Sequence, residues 1–316
     1  MNFLGIDIGT TSLKAAVFSD KLEQLSQATV DYTLETSGVY AEFPTEKYWD
    51  ITKEGIKKAT EGLEIEALSI DTQCETLILT DENGIPVRKA IVWVDNRADE
   101  EAKMIEAHFG RKKVYEVTGQ PEITATWPAS KLLWVKRNEP EIWKKTKKIF
   151  LLEDYILYKM TGKFVTEKTL QSSTIYFDIK KGTWWEEMLE FIGVDSAMLP
   201  KLYDSGVKIG EYEGMKVVTG AMDQVAGSIG AGIVRKGIIS EMTGTFSNLL
   251  SLSAVALVSY MTADAFKAKP VYEQLMERML EGGKLRKPRR TNKVLVEGQV
   301  HLGSYMSYLD KKLYYS

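Results

Sequence analysis

Residues 3–19 read FLGIDIGTTSLKAAVFS: two apolar runs joined by Gly9-Thr10-Thr11-Ser12, with Asp7 just before the turn and Lys14 just after it. The alternation predicts strand, turn, strand, and EQLSQATVDYTL (23–34) extends it to a β-meander. That is not the strand-then-helix opening of a dinucleotide fold. A tight turn of this kind aims several backbone N–H groups at one point, with Thr and Ser hydroxyls beside them, and such a nest suits phosphate oxygens. Asp7, closing the incoming strand, is an oxygen ligand of the type Mg²⁺ prefers. An ordinary surface hairpin uses the same residues, and this stretch alone leaves both readings open. No GxxxxGK[ST] pattern occurs in the chain, so a phosphate site here would be of another type.

Outward from the turn, TEKYWDITKEGIKKATE (45–61) has helical apolar spacing with Thr45 as its expected N-cap. ALSIDTQ (67–73) and KAIVWVD (89–95) read as buried strands joined by a turn at DENG. Residues 98–160 read as mostly helical, with Trp134 and Trp143 in apolar stripes and a break at NEP. GMKVVTGAM (214–222) is a further strand, and KGIISEMTGTFSNLL (236–250) a hairpin turning at TGT. KPVYEQLMERMLEGG (269–283) has a helical face, with Pro270 at its start and Gly282-Gly283 at its end. The expected organisation is one large domain over 1–236 and a smaller piece over 237–316.

The 316 residues suffice for two domains, and a net charge of −3 gives no global reason to expect nucleic acid or an acidic membrane as partner. The short basic run KLRKPRRTNK (284–293) reads as a solvated charged segment. One cysteine, Cys74, excludes an intrachain disulfide, and two histidines exclude a His/Cys metal cluster. No secretory leader pattern opens the chain and no apolar run has transmembrane length, so a cytoplasmic protein is expected.

Two more segments carry chemistry. In VVTGAMDQVAGSIGAG (217–232), Asp223 falls after a buried strand and at the start of a helix, where ligands of α/β sheets collect. A carboxylate there can take a proton from a hydroxyl attacking a γ-phosphate; it is equally a common helix cap. In SEMTGTFSN, Gly244-Thr245 repeats the Gly-Thr hairpin of residues 9–11.

The order of these three segments resembles the FGGY carbohydrate kinases of the sugar kinase/actin/heat-shock-70 ATPase superfamily. GIDIGTTSLKAAVF is similar to the family's first phosphate motif, GAMDQVAGSIGAG to its catalytic-Asp motif and TGTFSN to the opening of its second phosphate motif. AIVWVDNRA matches its W-x-D-x-R signature, and VTGQP, KLLWVKRNEPEIW, DYILYKMTGKFVTE and SSTIYFDI follow its usual course, so the likeness runs from residue 3 to about 250. The resemblance implies an α/β fold, an actin-like (ribonuclease H-like) ATPase domain with a mixed sheet flanked by helices, plus a partial second domain. It implies an ATP-dependent, xylulose kinase-like enzyme that phosphorylates a ketopentose or related sugar or polyol, with Mg²⁺. Asp223 would be the general base. Asp7, Gly9, Thr10, Thr11, Ser12, Lys14, Gly244 and Thr245 would face the nucleotide, and Asp7 and Asp223 the metal. Gln73, Glu75, Trp93, Asp95, Arg97 and Gln224 would line the sugar pocket. Amides and carboxylates pair with hydroxyls, and an indole packs on a sugar's C–H face. The plainer readings are a core aromatic for Trp93 and a structural ion pair with Asp95 for Arg97.

The departures also inform. DTQCETL is nearer the NQRET type of glycerol kinases than the GQMHG of xylulose kinases, with Cys74 in place of Arg; MDQ (222–224) is also of the glycerol kinase type, whereas 118–180 reads like a xylulose kinase. Family members carry a second domain of comparable size with a Gly-rich adenosine motif. Here about 80 residues follow Lys236, and LEGGKLRKP keeps only the paired Gly. The expectation is a shortened second domain and a cleft that holds ATP weakly. The rival expectation is a truncated, non-catalytic sugar-binding relic. An actin-like filament subunit has no reason to carry W-x-D-x-R, and a repressor would need a DNA-binding segment before residue 5. The Met and Tyr residues of the C-terminal YMSYLDKKLYY read as core or interface fillers, an oligomer contact such as a homodimer being one use of them.

Overall fold

The computed structural model describes residues 1–233 and the paired strands Ile239–Thr243 and Ser247–Ser251. The expected hairpin pairing of 239–251 is present, while its turn with Gly244 and Thr245 lies outside the described residues, as do the 269–283 helix, the basic run and the C-terminal tail.

Strict alternation builds the first sheet. In β1 (Asn2–Ile8), Leu4, Ile6 and Ile8 are buried while Asp7 points the other way; in β2 (Ser12–Ser19), Leu13, Ala15 and Val17 continue the buried row. β3 (Gln24–Asp31) completes the expected antiparallel meander. On the other side of β1 the sheet turns parallel. β1 pairs with Ala67–Thr72, and that strand pairs with Met215–Val218, which itself forms a hairpin with Lys208–Tyr212. The mixed sheet is therefore six-stranded, with three adjacent parallel strands at its centre. Helix α1 (Thr45–Ala59) and the helix Leu152–Thr161 bury their apolar faces against it, with Tyr48, Ile56, Tyr155 and Ile156 in a core shared with β1 and β2. A second, five-stranded antiparallel sheet includes Tyr40–Phe43, Ala90–Ile91, Leu77–Thr80 and Lys148–Leu151. It shares a separate core with the helices Asp99–Phe109, Pro128–Asn138 and Glu186–Ile192.

Three local expectations differ from the structure. Pro44, not Thr45, occupies the N-cap of α1, and the Thr45 hydroxyl donates to the Arg88 carbonyl at 3.1 Å. The strand expected over KAIVWVD ends after Ile91: the carbonyls of Val92 and Trp93 accept from the Lys131 ammonium instead of a neighbouring strand. Between the two expected strands lies a third, Leu77–Thr80, buried at all four positions, so DENG turns within this second sheet. A continuous apolar run has no period to betray it. The NEP break is where the sequence puts it, between helices ending at Asn138 and starting at Pro140.

Candidate active site

The three parallel strands end in one place. Asp7 is the penultimate residue of β1 and stands in register with Asp71 of Ala67–Thr72. The next parallel strand, Met215–Val218, leads through residues 219–222 to Asp223, the first residue of the helix Asp223–Gly230. Three carboxyl groups thus collect at the carboxyl edge of adjacent strands, which is where α/β sheets bind ligands. Burial raises the pKa of all three. Asp71 is pushed well above the carboxylate range, by burial first and then by the charges of Asp7 and Asp223. It shares a hydrogen bond with Asp7, whose own rise is eased by Lys14, its cross-strand partner in β2. In Asp223 burial is the largest cause; the Cys74 thiol and the Gln224 amide counter it, and the charge of Asp7 adds to it.

Asp223 is held by the loop before it and by Cys74. Gly220 N–H donates to Glu153 Oε1 at 3.2 Å, Met222 N–H to Thr169 Oγ1 at 2.8 Å, and the Thr219 hydroxyl to the Asp204 carbonyl at 2.7 Å. Gly220 is required sterically, because a Cβ there would lie 1.6 Å from the Ile70 carbonyl oxygen. Cys74 Sγ donates to Asp223 Oδ1 at 3.3 Å, and Gln224 N–H donates to the same oxygen at 2.6 Å. The expected helix start at Asp223 is therefore present, with the carboxylate receiving its own helix's first-turn amide.

The turn Gly9–Ser12 follows directly from Asp7 and Ile8. Gly9 N–H donates to the Ser12 carbonyl at 3.0 Å, Tyr32 N–H to the Thr11 carbonyl at 2.9 Å, and the Tyr32 hydroxyl to the Gly9 carbonyl. The Trp93 indole N–H donates to Thr10 Oγ1 at 2.9 Å, so Trp93 of W-x-D-x-R reaches the turn itself. Gln73 sits beneath it: its backbone N–H donates to the Ile8 carbonyl, and its amide nitrogen donates to the hydroxyls of Tyr48 and Tyr32 at 3.0 and 3.2 Å. Glu75 lies in the same loop with φ +58° and feels the charges of both Asp223 and Lys131.

Asp95 and Arg97 are engaged elsewhere. Asp95 accepts from Ala41 N–H and from the backbone, Nε and Nη2 of Arg97, which fills its acceptor positions. The Arg97 guanidinium lies over the rings of Tyr40 and Trp134 at 4.7 and 4.9 Å and also pairs with Glu42 at 2.7 Å. A neighbouring hollow of about 560 Å³ is lined by Glu42, Arg97, Trp134 and Glu139 among others. It contains none of the strand-end carboxylates, and its acids are already paired, Glu42 and Glu139 with arginines and Glu35 with Lys89.

Sequence reasoning brings Asp7, the 9–12 turn, Trp93, Glu75 and Asp223 to one region, and misses Asp71, Tyr32, Lys131, Glu153 and Thr169. Asp71 had a signal: ALSID repeats the apolar-run-then-Asp pattern of FLGID. The others act through bonds to residues far along the chain, which no local pattern reports. Among the described residues no set of three or more His, Cys, Asp or Glu side chains is arranged to hold a metal by itself. One or two carboxylates that leave room for water and phosphate oxygens are the usual protein contribution to Mg²⁺, and Asp7 and Asp223 fit that pattern. No helix among the described residues is long and apolar enough to cross a membrane.

Known proteins resemble this chain in sequence and in fold. The xylulose kinase of Lactococcus lactis subsp. lactis is 28% identical over 259 residues, 76% of this chain and 51% of that protein. The gluconokinase of Bacillus subtilis is 30% identical over 257 residues, 77% of this chain and 50% of that protein. The chain therefore spans about half the length of the curated relatives it matches. Among solved structures, gluconate kinase from Lactobacillus acidophilus superposes with a TM-score of 0.74 at 24% identity, covering 78% of this chain and 53% of that one. The fold is that of the actin-like ATPase sugar kinases, as the sequence implies. The sequence model of the "FGGY family of carbohydrate kinases, N-terminal domain" matches residues 2–237. Matched along that length and folded as solved sugar kinases are, the chain belongs to the FGGY family of carbohydrate kinases.

Proposed function

We propose that the protein transfers the γ-phosphoryl group of ATP to a hydroxyl of a ketopentose, xylulose-like, or of a related sugar or polyol. Residues 1–236 would form the sugar-binding domain and 237–316 part of the ATPase domain. The observation that carries this reading is the convergence of Asp7, Asp71 and Asp223 at the edge of three parallel strands, beside the Gly9–Ser12 turn. In the reaction the sugar oxygen attacks the γ-phosphorus, the bond to the ADP oxygen breaks, and the hydroxyl proton passes to Asp223. With Oδ1 occupied by Cys74 and Gln224, the second carboxylate oxygen is the one to take the proton. The amides and hydroxyls of residues 10–12 hold the phosphates in place. Asp7 and Asp223 are the residues that would hold Mg²⁺, which when bound would offset phosphate charge.

Glu75, Trp93, Gln73 and Gln224 form the sugar wall, with Gln73 supporting it from beneath the turn. Asp95 and Arg97 brace the fold, since the Asp95 carboxylate and Arg97 Nε and Nη2 are spent on each other and on Ala41 and Glu42. Xylulose kinases and gluconokinases among the relatives support a five- or six-carbon polyhydroxy substrate, with glycerol or another polyol as the alternative. A second reading is a sugar-binding chain without turnover. ADP release from Mg-ATP with a panel of ketopentoses, hexuloses, gluconate and polyols, beside Asp223→Asn, decides between them. Sugar-dependent turnover abolished by the substitution supports the kinase. Calorimetric sugar binding without turnover supports the second reading, and turnover indifferent to Asp223→Asn overturns the assignment of the base.

A further inference from the structure

Lysine is among the residues least often found fully buried. Lys131, in the helix Pro128–Asn138, is fully buried nonetheless, and its three N–H donors go to three main-chain carbonyls: Val92 at 3.0 Å, Trp93 at 3.1 Å and Glu75 at 3.4 Å. These carbonyls belong to two different loops, one following the strand Ala67–Thr72 and one following Ala90–Ile91. Each loop carries a residue assigned above to the sugar wall. Glu75 adopts φ +58°, a conformation uncommon for a residue with a Cβ and kept only where the surroundings enforce it. Trp93, with its carbonyl fixed by Lys131, directs its indole N–H to Thr10 of the phosphate turn.

Were the side chain there only to fill space, Leu or Met would serve without the cost of burying a charge. The ammonium answers a specific need: the Glu75 and Trp93 carbonyls have left the strand ladders, and it donates to both while sharing the Val92 carbonyl with Asp95 N–H. The Glu75 side chain adds a favourable charge interaction with Lys131, opposing the burial that acts on both. The helix that presents the lysine is itself pinned, by Ala129 N–H to the Thr174 carbonyl at 3.3 Å and by the Ser130 hydroxyl to the Thr124 carbonyl at 2.9 Å. A rigid element thus reaches into the gap between two loops and binds both. We infer that Lys131 is a positioning residue of the sugar pocket, whose ammonium locks the Glu75 and Trp93 loops into one wall and thereby sets sugar affinity. The inference rests on the reading of the site proposed above.

The test uses the full chain with Lys131→Met and Lys131→Arg. Calorimetry gives affinities for the sugar panel and separately for Mg-ATP, and hydrogen exchange reports the peptides spanning 73–77 and 92–97. For Lys131→Met the expected result is a loss of about tenfold or more in sugar affinity, with nucleotide affinity within about twofold. Exchange should quicken in those two loops and stay unchanged in β1 to β3. Lys131→Arg, which keeps charge and donors, should restore part of both losses. If Lys131→Met does not fold, Lys131→Gln, which keeps one amide donor group, takes its place with the same two readouts. Wild-type sugar affinity and loop exchange in the Met or Gln variant would overturn the inference, as would a parallel loss of sugar and nucleotide binding with faster exchange throughout. A wild-type chain that binds no sugar of the panel fails before any substitution is made, and so overturns the functional reading and this assignment with it.

Discussion

Replacing Gly220 by Ala tests the claim that the loop before Asp223 is set by close packing. The added Cβ would meet the Ile70 carbonyl oxygen at 1.6 Å and its carbon at 2.8 Å, and both are backbone atoms in the middle of the central sheet. Reaching even the 3.0 Å at which real Cβ contacts begin needs about 1.4 Å of movement. The strand Ala67–Thr72 resists it, being paired with β1 along its length and with Met215–Val218 at Ala67 and Leu68. The 219–222 loop must move instead, at the expense of the Gly220–Glu153 and Met222–Thr169 hydrogen bonds. Overpacking plus a lost buried hydrogen bond costs about 3 kcal/mol, which lowers Tm by roughly 6–12 °C in a domain of this size. Displacing Asp223 by more than an ångström should reduce sugar-dependent ADP release by roughly a hundredfold. Thermal unfolding followed by circular dichroism and a coupled ADP assay measure the two effects. Gly55→Ala is the control: its Cβ meets a side-chain methyl of Leu13 at 2.3 Å rather than backbone, and the substitution gains helix propensity in α1. Wild-type Tm and turnover in Gly220→Ala, or equal damage in the two variants, would refute the reasoning.

Three further outcomes are expected. Cys74→Ala removes the thiol that lowers the Asp223 pKa, so the acidic limb of the kcat/KM–pH profile should move to higher pH; an unmoved limb argues against this contact. Asp154, buried beside Glu153 with Oδ1 lacking a partner, is pushed by burial from 3.8 up to about 8. A carboxyl raised in this way binds more protons folded than unfolded, so its stabilising share is complete below about pH 4 and is lost as pH rises toward 8, by up to about 1.4 kcal/mol per pH unit. Asp154→Asn should flatten that decline in urea denaturation series between pH 5 and 8, and an unchanged slope would count against it. Asp95→Ala strips the buried Arg97 guanidinium of its bidentate partner and should cost about 3–5 kcal/mol by denaturant unfolding, with sugar affinity within about twofold in the folded fraction. A large selective loss of sugar affinity would instead return Asp95 to the sugar wall.

Gly9-Thr10-Thr11-Ser12, Asp7 and the start of the Asp223 helix were legible in the chain because each is written in local chemistry. Alternation gives the strands, turn residues give the bend, and an Asp at a strand-to-helix junction gives the edge of the sheet. Order along the chain supplied the family resemblance. Asp71 was legible in principle, as a second apolar run ending in Asp. Asp95 and Arg97 show the limit: their spacing marks a signature, yet whether they face a ligand or each other depends on Ala41, Tyr40, Glu42 and Trp134 arriving from elsewhere.

What the sequence determined alone is therefore the strand-turn-strand opening and the helix start at Asp223, with the mixed α/β class following from the family resemblance. Only the tertiary structure could place Cys74 against Asp223, 149 positions away, Gln73 beneath the Gly9 turn, and the Lys131 ammonium between two loops. The reason is physical. Secondary structure follows from the period of burial along a few residues, whereas a buried polar atom must find its partner wherever the packed chain brings one.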